Sequence, residues 1–378
     1  MIAFNFNSVA SVLVEDGAVG QLGGTLRARF GAERPFVVTD QGLVKIGMVA
    51  KVLTAFDEAE LAYAQFADVE ADPSEAIVLA AVEAARAHNA DMIVGFGGGS
   101  SMDVAKLVAV LAHGKQRLTD IYGVDQISGG RLPLVQIPTT AGTGSEVTPI
   151  SIITTGETTK MGVVDATLLA DLAVLDATLT TGLPPHITAA TGIDAMVHAI
   201  EAYTSKLKKN PISDGFARQA LLMLGKNIVT ACNDGNNLDA RRAMLIGALL
   251  AGQAFANAPV AAVHALAYPL GGHFHIPHGL SNSLVLPHVL RFNAQAAGHL
   301  YGELAVLVGQ GSSATDFIRW MDKIATDTKV ERRLRDVGVS HNDLPMLAED
   351  AMLQTRLLVN NPREVTLDDA RAIYEAAW

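Results

Sequence analysis

Asp194 and His198 stand four residues apart in Asp-Ala-Met-Val-His, and His264 and His278 stand fourteen apart further along the chain. A spacing of four puts a carboxylate and an imidazole on one face of a helix, about 5–6 Å apart at Cβ. Three imidazoles and one carboxylate suit a borderline divalent cation, Fe(II) or Zn(II), and suit Mg or Ca poorly. A cation held this way polarises a hydroxyl or a carbonyl. Any one of these histidines, taken alone, reads as a core or capped side chain. Together they are harder to dismiss. His264 and His278 fall between Ala243 and Leu290, a run with no Asp, Glu, Lys or Arg. A buried imidazole there needs a defined partner, and Asp194 is costly to bury unpaired. One cation answers all four. Cys232 is the single cysteine, which excludes a cysteine-rich structural zinc site. His273 and His275 are further candidates, facing substrate or simply exposed.

Two loops could hold phosphate. Gly97-Gly98-Gly99-Ser100 sits between a predicted strand and a predicted helix. Glycine lets backbone N–H groups approach a ligand, and a helix N-terminus favours anions. The match to the usual dinucleotide fingerprint is imperfect, because Ser100 stands where the third glycine belongs. The acidic residue expected downstream is replaced by Asp40, at the end of an earlier strand. A carboxylate there accepts bonds from a ribose and repels a 2′-phosphate, which favours NAD over NADP. The second loop, Pro138-Thr139-Thr140-Ala141-Gly142-Thr143-Gly144-Ser145-Glu146-Val147-Thr148, is rich in hydroxyls and glycine. Lys160 is a candidate cation near the phosphates. The bland alternative is a pair of tight turns with no ligand.

The elements that position these residues change character along the chain. Strands are predicted at Pro35–Asp40, Asp91–Phe96 and Leu134–Pro138, and a hairpin joins 150–154 to 161–164. Helical spacing runs over Ser74–Asn89 and Ser101–His113. Such alternation indicates an α/β domain with a mainly parallel sheet. After Leu183-Pro184-Pro185 nearly everything is helical: Ile187–Ser205, Ser213–Asn227, Asp239–Asn257 and Val260–Gly271. Thr366-Leu367-Asp368-Asp369 reads as a capping box that starts the last helix. The expected domains are therefore 1–183, α/β and dinucleotide-binding, and 184–378, all-helical.

Bulk properties narrow the classes. The 378 residues are 49% hydrophobic, with a net charge of −11. This is a globular chain with a sizeable core, and its acidity argues against nucleic acid and anionic membranes. One cysteine permits no intrachain disulfide and fits a reducing compartment. The segment Met1–Asn7 lacks the basic and apolar regions of a signal peptide, so a cytoplasmic location is expected. The charge-free run is broken by Gln253, Asn257, Pro259, His264, Gly271-Gly272 and Pro277, and reads as buried helices, not a membrane span.

At this point the motifs resemble those of the iron-containing, or group III, alcohol dehydrogenase family. The resemblance covers nearly the full length. It is carried by Gly97-Gly98-Gly99-Ser100 with Asp103, by the Pro138–Glu146 loop, by Gly192-Ile193-Asp194-Ala195 with His198, and by His264 with Pro277-His278-Gly279. It implies a dinucleotide-binding domain, an all-helical domain, a catalytic cation on Asp194, His198, His264 and His278, and Fe(II) as that cation, with Zn(II) the alternative. It implies NAD contacts from Asp40, Gly97, Gly98, Gly99, Ser100, Thr139, Thr140, Thr148, Lys160 and Leu179. Asp72 stands where many members have asparagine. Tyr268 stands where many have a histidine suited to proton relay. Tyrosine titrates near 10, so Tyr268 would relay through its hydroxyl, or a water chain or His273 would take over.

The resemblance implies reversible oxidation of a primary alcohol to an aldehyde with NAD. No acidic cluster or basic pocket marks a charged substrate, so small neutral alcohols are expected. A homodimer or larger homo-oligomer is implied. Two other readings use the same ligands: a metal-dependent hydrolase, which leaves Asp40 and the glycine loop without a use, and a lyase or cyclase resembling dehydroquinate synthase, which needs a basic pocket.

Overall fold

The computed structural model describes residues 3–156 and 159–378; part of the expected hairpin turn, Glu157 and Thr158, lies outside them. In chain order the described strands are β1 (Val12–Val14), β2 (Pro35–Val38), β3 (Ala64–Phe66), β4 (Met92–Gly97), β5 (Gly123–Val124), β6 (Leu134–Pro138), β7 (Ile150–Thr155), β8 (Thr159–Val164) and β9 (Leu172–Leu175). The first helices are α1 (Leu22–Phe30), α2 (Gln41–Lys45), α3 (Met48–Glu58), α4 (Glu75–Ala87) and α5 (Gly99–His113). From Pro185 onward come α6 (Pro185–Thr204), α7 (Pro211–Asn233), α8 (Leu238–Asn257), α9 (Ala262–Phe274), α10 (His278–Leu307), α11 (Ala314–Asp327), α12 (Leu344–Ala351), α13 (Thr355–Leu358) and α14 (Leu367–Ala377).

These elements form two compact units. One comprises 7–140 and 144–181. The other comprises 182–378, joined by 141–143 and by the N-terminal segment ending at Phe6.

The first unit is built on a six-stranded sheet in the order β1-β9-β6-β4-β2-β3. Every pairing in it is parallel. Strands buried on both faces read as continuous apolar runs, and β2, β4, β6 and β9 are buried at every residue. β4 lies between β2 and β6, so the segments that leave their carboxyl ends, with Asp40, Gly97 and Thr139, are neighbours. Ligands of open α/β sheets bind at such ends. The expected hairpin is present as β7 and β8, antiparallel, with β5 alongside. Strands β1, β3 and β5 have two or three residues each, too few for alternation to show in a sequence. Leu172–Leu175 is a short apolar run with no period of its own.

Glycine spacing sets how α5 meets the sheet. A Cβ on Gly95 would run into Gln136 Oε1 and stand 2.9 Å from Ala105 Cβ on α5. Gln136 is itself held, its Nε2 donating to Met102 O at 3.0 Å. Gly97 has φ +152, and a Cβ there would lie 2.7 Å from Ser101 Oγ. Gly98 is different, since the nearest atom to its Cβ would be Thr140 Oγ1 at 3.9 Å. Gly95 and Gly97 are therefore required by packing and backbone, while Gly98 leaves its backbone open to approach.

In the second unit α6 packs against α7, α8 and α10, and α9 against α10. From Gly192 to Thr204 every residue of α6 is buried, the pattern of a helix at a domain's centre. A Cβ on Gly192 would stand 2.7 Å from Met244 Cε and 2.9 Å from Ile228 Cδ1, so α6 meets α7 and α8 at a glycine. Pro184 and Pro185 open this helix, and the Thr366–Asp369 capping box opens α14. The charge-free run becomes the end of α8, all of α9 and the start of α10. No single helix among the described residues is long and apolar enough to cross a membrane.

Gly95→Ala is expected to cost about 1–3 kcal/mol, as overpacking of a filled core does. A urea midpoint equal to wild type, with unchanged slope, would refute this account of the α5–sheet contact.

Candidate functional site

Asp194 and His198 lie one turn apart in the middle of α6, as their spacing requires. His264 sits in the first turn of α9. That helix ends at His275 in a left-handed conformation (φ 54), and Pro277 then opens α10 with His278 as its first residue. The corner delivers His278 only because Gly279 follows it. A Cβ on Gly279 would collide with Ala190 O and stand 3.3 Å from Asp194 Cβ, so α10 presses its first turn onto α6 at a glycine. The result is that one ligand atom each from Asp194, His198, His264 and His278 lie within 4.8 Å of one another. The first three residues are buried and His278 is exposed. The His198 ring stacks between Phe255 (centroids 4.2 Å) and His264 (4.8 Å).

Two residues outside the expected set complete this cluster. Glu201 is three residues past His198, on the same face of α6, and is 4% exposed. It accepts from His264 Nδ1 at 2.7 Å and from the backbone N–H groups of Ala261 (2.9 Å) and Val263 (2.7 Å). Glu201 therefore faces His264 from the Nδ1 side, and Nε2 is the nitrogen turned toward Asp194. Asn282 is one turn past His278 and fully buried. Its Nδ2 donates to Asp194 Oδ1 at 2.6 Å and lies 3.3 Å and 3.2 Å from Nε2 of His264 and His278. The signal that could have found both is periodicity: Glu201 continues the i, i+4, i+7 face of Asp194 and His198, and Asn282 follows His278 by four.

The electrostatics test whether a cation fits. Burial pushes the His198 imidazole down to about 3, against the pull of Asp194; its ring is neutral at pH 7. Its Nδ1 is buried with no hydrogen-bond partner among the described residues. Burial alone would raise the Asp194 carboxyl, yet the three imidazoles and the Asn282 amide outweigh it and hold it below its ordinary range. An ionised carboxylate is thus buried among rings of which at least one carries no charge. A divalent cation supplies the missing charge, and the donor set, one oxygen anion and three imidazoles, is of the type that binds Fe(II) or Zn(II).

The expected nucleotide contacts divide into several kinds. Asp40 caps α2 by accepting from Leu43 N at 3.0 Å. Gly98 caps α5, whose first residues are Gly99 and Ser100. Thr139 N donates to Gly97 O at 2.9 Å, so the two loops leave the sheet side by side, and Thr140 faces Gly98. Thr148 is buried, and its hydroxyl accepts from Lys106 Nζ at 3.2 Å. The Leu179 side chain belongs to the hydrophobic core beneath the sheet. Lys160 forms an ion pair with Asp72. Sequence reasoning passed over Lys106, which is fully buried and also donates to Ser145 Oγ (2.7 Å) and Ile150 O (2.6 Å). Asp103 accepts from Ser145 Oγ (2.5 Å) and Ile152 N (2.9 Å). Together they tie the second loop to α5. Burial lowers the Lys106 ammonium's proton affinity, with Asp103 and Glu146 opposing.

Of the two relay candidates, Tyr268 lies beside the ligand set, its ring centroid 6.0 Å from that of His278. His273 is exposed, and its Nε2 is bonded to Asp350 Oδ2 at 2.8 Å.

Comparison with known proteins agrees along the whole chain. Residues 10–177 match the family described as "Iron-containing alcohol dehydrogenase", and 188–378 match "Fe-containing alcohol dehydrogenase family, C-terminal". Long-chain-alcohol dehydrogenase 1 of Geobacillus thermodenitrificans is 40% identical over 372 residues, covering 96% of this chain and 93% of the relative. The crystal structure of a 1,3-propanediol oxidoreductase superposes with a TM-score of 0.96 at 34% identity, covering all of both chains. Sulfoacetaldehyde reductase from Bifidobacterium kashiwanohense, solved in complex with NAD+, superposes at 0.90 and 27% identity, covering 100% of this chain and 99% of the other.

Adding Fe(II) without oxygen should raise the melting temperature. A cation at about 100 times its Kd adds about 2.7 kcal/mol. His264→Ala should lose most of that gain; an equal gain in both proteins would mean that the cation binds elsewhere.

Proposed function

The chain belongs to the iron-containing alcohol dehydrogenase family, and we propose that Asp194, His198, His264 and His278 hold its catalytic cation while the loops at Gly97–Ser100 and Thr139–Thr148 hold NAD. It is an NAD- and metal-dependent alcohol dehydrogenase that interconverts a primary alcohol and its aldehyde. The observation that carries the assignment of residues is the convergence of those four side chains within 4.8 Å.

When bound, a divalent cation on a set with one anionic ligand keeps net positive charge and polarises the substrate oxygen as a Lewis acid; Fe(II) fits the family, and the ligand types also accept Zn(II). The nicotinamide takes up the hydride in oxidation and returns it in reduction. The protein's part is positioning. Asp194 brings the one negative charge. The His264 tautomer aims its Nε2 lone pair into the set. The amino end of α5, where a Cβ on Gly98 would meet nothing nearer than Thr140 Oγ1 at 3.9 Å, receives the pyrophosphate. Asp40, at the carboxyl end of β2, takes the ribose hydroxyls and repels a 2′-phosphate. Thr148 and Leu179 serve through backbone atoms, since their side chains are engaged elsewhere. Lys160 serves with its charge tempered by Asp72. Tyr268 Oη moves the proton; His273 is tied to Asp350. We place the enzyme in the cytoplasm as a homo-oligomer, a reading supported by the single cysteine and by the family.

Incubation with butan-1-ol and NAD is expected to produce the absorbance of reduced nicotinamide, and His264→Ala to abolish it. No signal with any primary alcohol or aldehyde would defeat the reading. Asp40→Gly should improve NADP use relative to NAD. Glycine at an N-cap costs only a few tenths of a kcal/mol, so the fold is kept; an unchanged ratio would mean that Asp40 does not face the ribose.

A further inference from the structure

We infer that Glu201 is a positioning residue for the catalytic cation, acting through His264. The inference rests on the ligand set proposed above and adds a residue to it. A carboxylate that is 4% exposed demands an explanation, because burying a charge is costly unless it is paired and fully hydrogen-bonded. Among the described residues, no Lys or Arg donates to Glu201. It is met instead by three N–H groups: His264 Nδ1, Ala261 N and Val263 N.

Two of these three belong to the start of α9. Ala261 has no side chain with which to cap that helix, and the first N–H groups of any helix lack internal partners. Glu201 supplies the missing acceptor from α6, and a negative charge at a helix N-terminus is favourable. That alone is a structural duty. The third bond goes further. Both carboxyl oxygens of Glu201 already accept backbone N–H groups, and an acceptor facing His264 Nδ1 at 2.7 Å calls for a ring that donates from Nδ1. The tautomer of His264 is decided by this bond, and with it the direction of the Nε2 lone pair. A histidine ligand whose far nitrogen donates to a carboxylate is also a stronger base toward a cation.

The placement points the same way. Asp194 and Glu201 are two buried carboxyl side chains on one face of α6, seven residues apart, and the His264 ring meets Glu201 with Nδ1 and faces Asp194 with Nε2.

The test measures Co(II) affinity by chelator competition, and the Co(II) absorption spectrum, in four proteins: wild type, Glu201→Gln, His264→Ala and the double variant. Glu201→Gln keeps the shape and one acceptor oxygen but puts an NH2 where an N–H must be received. It should weaken Co(II) binding by about 10–100-fold and alter the spectrum. In the His264→Ala background the same change should add little. Unchanged affinity and spectrum in Glu201→Gln would overturn the proposal. So would an equal loss in both backgrounds, since Glu201 would then act through the fold and not through His264. If His264→Ala itself leaves the wild-type affinity intact, the ligand set is wrong and the proposal falls with it; that arm separates the two failures. Should Glu201→Gln not fold, nitrogen-15 NMR of the wild-type histidines decides: His264 protonated at Nδ1 supports the role of Glu201, and protonation at Nε2 overturns it.

Discussion

The structure of the helical unit turns on the burial of the Asp194 carboxylate. Asp194 lies in the fully buried part of α6, and among the described residues neither lysine nor arginine pairs with it. Its neighbours are three imidazoles and an amide. A set arranged in this way could hold a metal ion, and a cation would compensate the buried carboxylate. That constraint explains why the ligands come from three helices and why their surroundings are so apolar. It also explains why a second layer of bonds, from Glu201 and Asn282, fixes the side chains that face the charge.

Close approach is what allows the arrangement. The ligand atoms meet because helices touch where no Cβ intervenes: α6 against α7 and α8 at Gly192, and α10 against α6 at Gly279. The α9–α10 corner then has only to turn sharply, which His275 and Pro277 accomplish. The helix that bears Asp194 and His198 also receives Gly142, whose Cβ would lie 2.7 Å from Thr191 Cβ. The tip of the second loop, residues 141–143, thus belongs to the helical unit.

In the parallel-sheet unit the glycine loop does two different jobs. Gly95 and Gly97 satisfy packing and backbone geometry, while a Cβ on Gly98 would meet nothing nearer than Thr140 Oγ1 at 3.9 Å. The loop at 139–148 is held from behind by a buried lysine, Lys106, and a partly buried aspartate, Asp103. Ion pairs and hydroxyls that look like ligand contacts in the sequence, Lys160 and Thr148, prove to have partners within the protein. A loop held so firmly would be preorganised for the dinucleotide role proposed for it.

Much of this was legible in the chain. The i,i+4 spacing of Asp194 and His198, the charge-free run around His264 and His278, and the strand–glycine–helix order at 92–113 are local patterns, and local patterns survive in a sequence because helix and strand periods are short. The choice of cation chemistry followed from residue types alone. Four short strands, the partners of Lys160 and Thr148, the tie between His273 and Asp350, and the roles of Glu201, Asn282 and Lys106 were not legible. Each depends on which distant segment lies across from a given side chain: Glu201 is 63 residues from His264, and Lys106 is 39 from Ser145. The sequence by itself determined which side chains could bind a cation and a dinucleotide. Only the tertiary structure decided which of them already have partners within the protein and which residues aim the rest, because a hydrogen bond is a matter of distance in space and not of order along the chain.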